Sequence, residues 1–363
     1  MMIKRRKTRQ VKVGGVKIGG GAPVSIQSMT NTVTGDVAAT VSQVKKLERA
    51  GCEIVRVAVR DERDAAAVRR IKNRIKIPLV CDIHFNYRLA LKCIVNGADK
   101  IRLNPGNINK RDEVAAVVKA CSRARIPIRV GVNSGSVSTQ YAIHNTQYEP
   151  LVKSALGYIK VLESCDFHDI IISLKSSDVV STIESYRKIA GLCDYPLHLG
   201  VTATGPYSTG IVKSSVGIGT LLAEGIGDTI RVSLTADPVE EVFAAKKILG
   251  AVGARSFGPD IISCPTCGRC KVDLIAMVEK LEKKMSDVPP GLSARRARGR
   301  CQMSEKKPVK IAMMGCEVNG PGEAKEADIG IAFGKDSGVL FKKGKIVKKI
   351  KAKDAISEIL KAI

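Results

Sequence analysis

Short apolar runs, rich in β-branched residues, recur through the first 250 residues and alternate with longer amphipathic segments. Runs of this kind are typical of strands buried on both faces of a parallel sheet. Eight of them predict strands at residues 22–29, 53–59, 78–84, 100–106, 127–133, 169–176, 196–203 and 229–236.

The segments between these runs predict helices. Residues 36–51 and 149–165, for example, carry apolar side chains at three- and four-residue spacing and end in glycine or cysteine. Eight strand–helix units within about 235 residues match a (β/α)8 barrel of the TIM type. A doubly wound open sheet is the alternative, but no turn carries a convincing GxGxxG. We expect a barrel over residues 1–252, with a hairpin at 11–20 closing its bottom.

The pattern changes in residues 253–363, for which we expect a smaller α+β domain. A strand (256–264) and a helix (272–285) precede a basic insertion at about 286–308, interpreted as a surface loop. The rest predicts a strand, a glycine-rich turn, three short strands and a final helix, at 309–318, about 319–326, 327–333, 338–343, 345–350 and 352–363.

Composition narrows the functional classes. The net charge of +25 suggests a polyanionic partner, but Trp is absent and only six Phe and seven Tyr occur, so we expect no nucleic acid. The lysines near the C-terminus are interpreted as solvated surface. No apolar run reaches the roughly 18 residues of a membrane span. The basic start lacks the apolar stretch of a secretory signal, and eleven scattered cysteines favour a reducing compartment, so we expect a cytoplasmic protein.

Cationic and polar side chains recur at the predicted carboxyl ends of the strands, where barrel enzymes place their active sites. Several cations at one opening repel one another unless an anion neutralises them, and arginine suits phosphate because its fork binds two oxygens. We expect a diphosphate-like ligand bound by Arg56, Arg102, Arg129, Asn133, Lys175, Lys213, Arg231 and Ser233. Asp82, His84 and Glu224 are candidate acids or bases, and His198 is a weaker candidate.

The cysteines form two groups. Cys52, Cys81, Cys93, Cys121, Cys165 and Cys193 lie among aliphatic residues and are expected to be small buried hydrophobes. In the second region, Cys264, Cys267 and Cys270 follow a strand, and Cys316 follows another. Such a set suits zinc or an iron–sulfur cluster, and spacing alone does not decide between them. A thioredoxin-type redox pair is a weaker alternative.

Nine stretches together resemble the bacterial 4-hydroxy-3-methylbut-2-en-1-yl diphosphate synthase family, in order, from about residue 20 to 335. They are IQSMTNT, IHFNYRLAL, IRLNPGNI, IRVGVNSGS, LKSSDV, PLHLGVT, EGIGDTIRVSL, SCPTCGR and GCEVNGPGEA. The resemblance implies a 4Fe-4S cluster held by Cys264, Cys267, Cys316 and Glu323, with Cys270 a bystander. Glu323 would also be catalytic, because a carboxylate leaves iron more easily than a thiolate.

The resemblance also implies the reaction: reductive opening of 2-C-methyl-D-erythritol 2,4-cyclodiphosphate to hydroxymethylbutenyl diphosphate, in isoprenoid biosynthesis. It implies a reduced flavodoxin or ferredoxin as electron donor, and a homodimer in which the cluster domain of one subunit covers the barrel of the other.

Two features depart from the family pattern. Ala203 stands where the family commonly has an acidic residue, which puts a role for a carboxylate there in doubt, and the insertion containing Cys301 is unexplained. Two other functions stay open at this point. One is a zinc-ribbon nucleic-acid-binding protein that uses Cys264, Cys267, Cys301 and Cys316, and the other is a phosphosugar barrel enzyme with a purely structural cluster.

Overall fold

A computed structural model describes the chain at residues 3–137, 148–286, 309–318, 320–324, 326–335 and 337–362. The chain divides into two compact units, Met1–Arg255 and Ser256–Ile363. The sequence-based boundary lay at 252/253. No helix in the described ranges combines the length and apolarity that crossing a membrane requires.

The first unit opens with an antiparallel hairpin and continues with eight parallel strands, each followed by a helix. The hairpin strands are β1 (Gln10–Val13) and β2 (Val16–Gly19). The parallel strands are β3 (Ser25–Met29), β4 (Ile54–Val59), β5 (Leu79–Ile83), β6 (Lys100–Leu103), β7 (Ile128–Asn133), β8 (Ile170–Lys175), β9 (His198–Leu199) and β10 (Thr229–Ile230). The helices are α1 (Val37–Ala50), α2 (Glu62–Lys72), α3 (Tyr87–Val95), α4 (Arg111–Ala124), α5 (Glu149–Glu163), α6 (Val179–Ala190), α7 (Tyr207–Ala223) and α8 (Pro238–Ala251).

The eight parallel strands form a ring. Neighbours in the chain pair from β3 through β8, and β10 pairs with both β3 and β9. One parallel bridge between Ile172 and Leu197 joins β8 to β9. The prediction of eight strands in a TIM-type barrel is therefore confirmed, and the open sheet is excluded.

Local sequence explains where the helices begin and end. At α1, the side chain of Asp36 accepts a hydrogen bond from the backbone N–H of Ala39 and caps the first turn. Gly51 ends the helix with a φ of +94°, a left-handed conformation that glycine adopts without steric cost. Between these caps, Val41, Val44 and Leu47 face the sheet and are buried.

Side chains alternate strictly along the barrel strands. In β4, Val55, Val57 and Val59 point outward into an aliphatic layer that the helices share, whereas Ile54 and Arg56 do not belong to that layer. The same alternation places polar and charged residues of the other strands on the inner face. A barrel with an aliphatic outer layer and a charged interior results.

The hairpin seals the amino-terminal end of the barrel, as predicted. Val11, Val13 and Ile18 of the hairpin form one buried cluster with three residues from strand starts, Ile54, Val80 and Ile171. The preceding segment is also tied down at that end. Arg5 pairs with Asp228 at 3.1 Å, and Arg6 Nη1 donates to the carbonyl of Cys193 at 2.6 Å. Water is thus kept from this end of the interior by apolar packing.

The second unit is a five-stranded sheet with helices, in the order β11–β12–β13–β14–β15. Its strands are β11 (Asp260–Ser263), β12 (Lys310–Met314), β13 (Ile329–Phe333), β14 (Ser337–Lys342) and β15 (Lys345–Lys351). β11, β12 and β13 pair in parallel, and the last two strands are antiparallel. Its helices are α9 (Leu274–Ser286), α10 (Gly320–Ala324) and α11 (Ala355–Ala362).

α9 and α11 pack on one face of this sheet through Leu281 and Ile359, which share a buried cluster with Ile311 and Ile331. The predicted α+β pattern is found here with one difference: the glycine-rich turn contains the short helix α10. Of the predicted insertion at 286–308, only Ser286 is described, and Cys301 lies outside the described residues.

We expect the hairpin seal to stabilise the barrel. Replacing Ile18 by Ala removes a fully buried side chain from the seal and should lower the free energy of unfolding by about 2–5 kcal/mol. Urea denaturation measures this loss. The control is Lys17→Ala, an exposed change on the same strand, and equal stabilities of the two variants would contradict the sealing role.

Candidate active site and candidate metal centre

Six cations lie near one another inside the barrel or at its opening, and two carboxylates accompany them in the described part of the chain. The cations come from four of the eight strands and from the segment after β10. They are Arg56, Lys100, Arg102, Arg129, Lys175 and Arg231, and the carboxylates are Asp82 and Glu241. Taking the side chains in their usual charge states, the region carries a clear positive excess.

Asp82 of β5 is the carboxylate that pairs with Arg56 and Arg102. Arg102 Nη1 lies 3.0 Å from Asp82 Oδ1, and Arg56 Nε lies 3.8 Å from Oδ2. Burial alone would raise the pKa of the Asp82 carboxyl, but Arg56 and Arg102 outweigh it and hold that pKa well below its usual range. Asp82 therefore stays ionised, so of its two predicted roles, acid or base, the arrangement favours the base.

Glu241 is the carboxylate that pairs with Arg231, and it was not among the residues predicted from the sequence. It lies in the first turn of α8, and its Oε1 is 3.1 Å from Arg231 Nη2. Ser28 Oγ donates to Glu241 Oε2 at 2.9 Å, and the backbone N–H of Leu234 donates to Oε1 at 3.2 Å. The sequence signal was the Asp-Pro-Val-Glu-Glu run just after the last strand, which reads only as a helix start.

Two cations lie deeper than the strand-end prediction allowed. Lys100 is the first residue of β6, and Arg129 is the second of β7. They are 0% and 1% exposed, and each donates at 3.4 Å to the same oxygen, Gln27 Oε1. Burial lowers the pKa of both groups, and neighbouring arginines lower it further. Lys100 was missed because it stands at the wrong end of its strand for a census of strand ends.

Lys175 ends β8, as predicted, and is buried. Burial lowers the pKa of its ammonium, and Arg231 adds repulsion. Glycine at position 200 makes room for it, because a Cβ there would lie 2.6 Å from Lys175 Nζ. The side chain thus occupies the space that Gly200, just after β9, leaves open.

His198 of β9 is fully buried, and neither ring nitrogen has a hydrogen-bond partner in the described part of the chain. Burial lowers the pKa of its imidazole strongly, and Arg129 and Lys175 act in the same direction. It is therefore neutral at ordinary pH. Together with the partnerless Nε atoms of Arg102 and Arg129, it leaves unsatisfied polar groups in the barrel interior.

The remaining predicted residues differ in position. Asn133 ends β7 opposite Lys175, and Ser233 follows β10 with its carbonyl accepting from Thr204. His84 follows β5 with 48% of its side chain exposed, and its Nε2 lies 3.5 Å from Asp82 Oδ2. Lys213 lies in α7, and its ammonium is near enough to the Asp178 carboxylate to interact with it.

Glu224 does not belong to this group, which corrects its assignment as a candidate acid or base. It follows the last residue of α7, which leads back to the amino-terminal end of the barrel. Its carboxylate pairs with Arg187 on the surface, and this pairing lowers the pKa of Glu224. The sequence showed the residue but not which end of the barrel its helix would reach.

In the second unit, three of the predicted cluster ligands follow strand ends. β11 and β12 are parallel neighbours with Ser263 opposite Met313, so Cys264 and Cys316 leave the same end of the sheet. Glu323, on α10, lines a cavity of about 290 Å³ together with Ser263 and Met314. The ligand candidates therefore lie around one end of one sheet.

Two of these sulfurs have polar neighbours. The backbone N–H of Gly315 donates to Cys264 Sγ at 3.2 Å. At the exposed Cys267, the backbone N–H of Arg269 lowers the pKa of the thiol, and the Arg269 guanidinium acts in the same direction. Hydrogen bonds to sulfur and nearby positive charge are what iron–sulfur ligands commonly have.

Cys270 packs against its neighbours in the chain and against Gly315. Its thiol donates to the carbonyl of Val272 at 3.2 Å, and a Cβ at Gly315 would collide with its sulfur. Within the described ranges, no three His, Cys, Asp or Glu side chains gather closely enough to hold a single metal ion. The donor set of Cys264, Cys267, Cys316 and Glu323 fits a larger iron–sulfur group in its chemistry, since it offers thiolates and one hard carboxylate.

Comparison with known proteins covers both units. A family model described as the GcpE TIM-barrel domain matches residues 8–246, and one described as the GcpE protein C-terminal domain matches residues 260–363. The chain belongs to the GcpE family.

Curated GcpE-family relatives match along their whole length. A protein of Clostridium perfringens is 54% identical over 363 residues, which cover 99% of each chain. One of Caldanaerobacter subterraneus subsp. tengcongensis is 52% identical over 365 residues, covering 100% of this chain and 98% of the relative. Both relatives are named 4-hydroxy-3-methylbut-2-en-1-yl diphosphate synthase (flavodoxin). These matches confirm the family resemblance and give no support to a zinc-ribbon protein or a phosphosugar enzyme.

Among solved structures, Plasmodium falciparum HPPK-DHPS with pterin and p-hydroxybenzoate has a TM-score of 0.50 and 15% identity. The match covers 76% of this chain and 52% of that one. At this identity the likeness concerns the fold alone.

The buried excess of positive charge should be visible as a pH dependence of stability. Because the pKa of Lys100 is lower in the folded protein than in the unfolded chain, the unfolded chain binds more protons between these two values. This contribution makes the free energy of unfolding rise with pH across that window. Lys100→Met should flatten the slope and should raise stability at neutral pH by about 1–3 kcal/mol.

Urea denaturation at several pH values measures both effects. Lys119→Met, at an exposed position of α4, is the control and should leave the slope unchanged. A Lys100→Met slope as steep as that of the parent protein would show that Lys100 is not a source of buried charge strain.

Proposed function

We propose that the chain reduces 2-C-methyl-D-erythritol 2,4-cyclodiphosphate to (E)-4-hydroxy-3-methylbut-2-enyl diphosphate, with flavodoxin or ferredoxin as the electron donor. The reaction consumes two electrons and two protons, opens the ring and releases one water. Full-length identity above 50% to synthases of that name supports the proposal. The observation that carries it is the buried cationic interior, since a cyclic diphosphate supplies the anionic charge that this interior lacks.

The barrel residues would bind and orient the diphosphate. Arg56, Arg102 and Arg231 are held by Asp82 and Glu241, which fix their side chains without neutralising the group. Lys175 and Arg129 add charge from β8 and β7. Asn133, Ser233 and Lys213 are proposed to contact the substrate at the rim. Arginine is favoured for this role because its planar fork can donate two hydrogen bonds to one phosphate.

A bound 4Fe-4S cluster would supply electrons one at a time, chemistry that no protein side chain provides. Cys264, Cys267, Cys316 and Glu323 would hold it. The Gly315 N–H would donate to the sulfur of Cys264, and Arg269 would favour the thiolate form of Cys267. The carboxylate of Glu323 would exchange more readily than a thiolate, which would leave that side of the group open to substrate oxygen.

The proton for the departing hydroxyl is assigned to His84. Asp82 is held ionised by arginines, Glu241 is paired with Arg231, and position 203 is alanine. The imidazole of His84 can carry and donate a proton, and its Nε2 lies 3.5 Å from Asp82 Oδ2, a contact that orients the ring. Ala203 follows β9, is exposed, and has a φ of +50°, so it offers backbone but no acid.

As part of the same proposal, the protein acts in the cytoplasm as a head-to-tail homodimer. In that arrangement the second unit of one protomer would cover the barrel of its partner. Such pairing would bring a group bound at the second unit to an anion bound in the barrel, and sedimentation of the purified protein at increasing concentration tests it.

Cluster content and turnover test the function. Anaerobically purified protein should contain about four iron and four sulfide per chain, as a 4Fe-4S cluster requires, and should convert the cyclic diphosphate when given reduced viologen. Cys264→Ser should lose iron and activity, whereas Cys270→Ser should keep both. A colourless protein with one zinc would overturn the proposal, and so would full turnover by Glu323→Ala.

The assignment of His84 predicts a loss of turnover when its imidazole is removed. Glutamine has the polarity but cannot deliver a proton, so kcat of His84→Gln with reduced viologen should be lower by about 10²- to 10⁴-fold. His168→Gln is the control, because His168 lies just before β8 at the opposite end of the barrel. A kcat of His84→Gln equal to that of the parent protein would remove His84 from the mechanism.

A further inference from the structure

The sheet of the second unit has one face that its helices leave partly open. α9 and α11 pack on the other face. On this face, α10 sits directly on β12 and β13, where a Cβ at Gly320 would lie 2.8 Å from Ala332 Cβ. Beyond α10 the described residues leave a groove of about 770 Å³. The lysine groove, as we call it, is lined by Glu317, Ala332, Gly334, Ser337, Val339, Phe341, Gly344, Lys345, Ile346 and Lys349.

The floor and one wall of the lysine groove are apolar. Phe341 is buried at the bottom beside Val339 and Ala332. Ile346, on the edge strand β15, is 70% exposed. An exposed branched side chain on an edge strand is a liability for an isolated protein, and beside an apolar floor it is typical of a contact surface.

The rim of the lysine groove is strongly basic. Residues 342–351 contain six lysines and no carboxylate. Lys348 is directed to Glu358 of α11, on the other side of the sheet. Lys345 and Lys349 line the groove instead, and neither has an ion-pair partner in the described part of the chain. The lysines of this segment are exposed, as expected, and two of them in addition frame an apolar depression.

The position of the groove relates it to the candidate metal centre. Glu317 lines the groove and directly follows Cys316, one of the proposed cluster ligands. A protein bound in the groove would thus lie beside the group that must receive electrons. The single carboxylate among the lining residues also leaves the lysine charges uncompensated.

We propose that the lysine groove is the docking site of the electron-carrier protein, through an acidic surface that carries an apolar contact. This inference rests on the proposed function and adds where the donor binds. Complementary charge steers an encounter and fixes its orientation, while the apolar floor supplies burial. A second copy of this chain is the other occupant that an apolar groove could accept, and the test separates the two.

The test compares charge reversal in the groove with matched reversal elsewhere. The groove variant is Lys345→Glu/Lys349→Glu, and the control is Lys119→Glu/Lys188→Glu on exposed positions of α4 and α6, with the same change in net charge. Titration calorimetry with purified oxidised flavodoxin, at low and high ionic strength, measures the Kd. Turnover of each holoenzyme is measured with reduced flavodoxin and with reduced viologen.

We expect the groove variant to raise the Kd for flavodoxin about tenfold or more at low ionic strength, with a smaller difference at high salt. Turnover with viologen should match that of the parent protein, and the control should bind flavodoxin normally. Ile346→Ser, which keeps every charge, should weaken binding at both salt concentrations.

An unchanged Kd in both groove variants would overturn the docking site. A shift of the groove variant to a smaller oligomer, with flavodoxin binding intact, would overturn it too, because the groove would then bind a second copy. Failure of the proposed function has a different signature: the parent holoenzyme would not turn over with viologen at all.

Discussion

The excess of positive charge inside the barrel is the constraint that shapes the first unit. Desolvating like charges together is costly, and Asp82 and Glu241 compensate only part of it. Repulsion among these charges destabilises the folded state. The aliphatic layer between sheet and helices, and the hairpin seal, must offset that cost by apolar burial. Burial and the neighbouring arginines lower the pKa values of Lys100 and Lys175, in keeping with this cost. A bound polyanion would neutralise the cations and relieve their repulsion. The charges that destabilise the empty barrel would then be the ones that bind the anion.

In the second unit, a single sheet connects the end that carries the cysteines with the edge that carries the lysines. Its parallel strands β11 and β12 bring Cys264 and Cys316 to one end of the sheet, and the antiparallel strands beyond them extend the same sheet to a basic edge. A sulfur-rich end and a lysine-rich edge are thus joined by continuous backbone hydrogen bonding. Such a connection would suit the two proposed roles, an electron carrier docked at the lysine-rich edge and a cluster bound at the sulfur-rich end.

Much of the fold could be predicted because each barrel strand is a short apolar run and each helix has ordinary caps, such as Asp36 and Gly51. The site was predicted only in part. Lys100 escaped notice because it is the first residue of β6, whereas only the carboxyl ends of the strands were searched for site residues. Glu241 was missed because it lies in helix α8 and not at a strand end. The prediction for Glu224 was wrong because it did not consider to which end of the barrel α7 leads. The short helix α10 was hidden by Gly-Pro-Gly, a sequence that ordinarily marks a turn.

The anchoring of the N-terminal segment has a practical consequence for engineering. Arg5 and Arg6 bind loops at the sealed end of the barrel, opposite the carboxyl ends of the strands. A purification handle or fluorescent protein joined ahead of Ile3 would extend from that sealed end and leave the opening clear. Removing the arginines to shorten such a fusion would break the ion pair between Arg5 and Asp228. Asp228 also accepts a hydrogen bond from the Leu197 N–H, so the starts of β9 and β10 would be held less firmly.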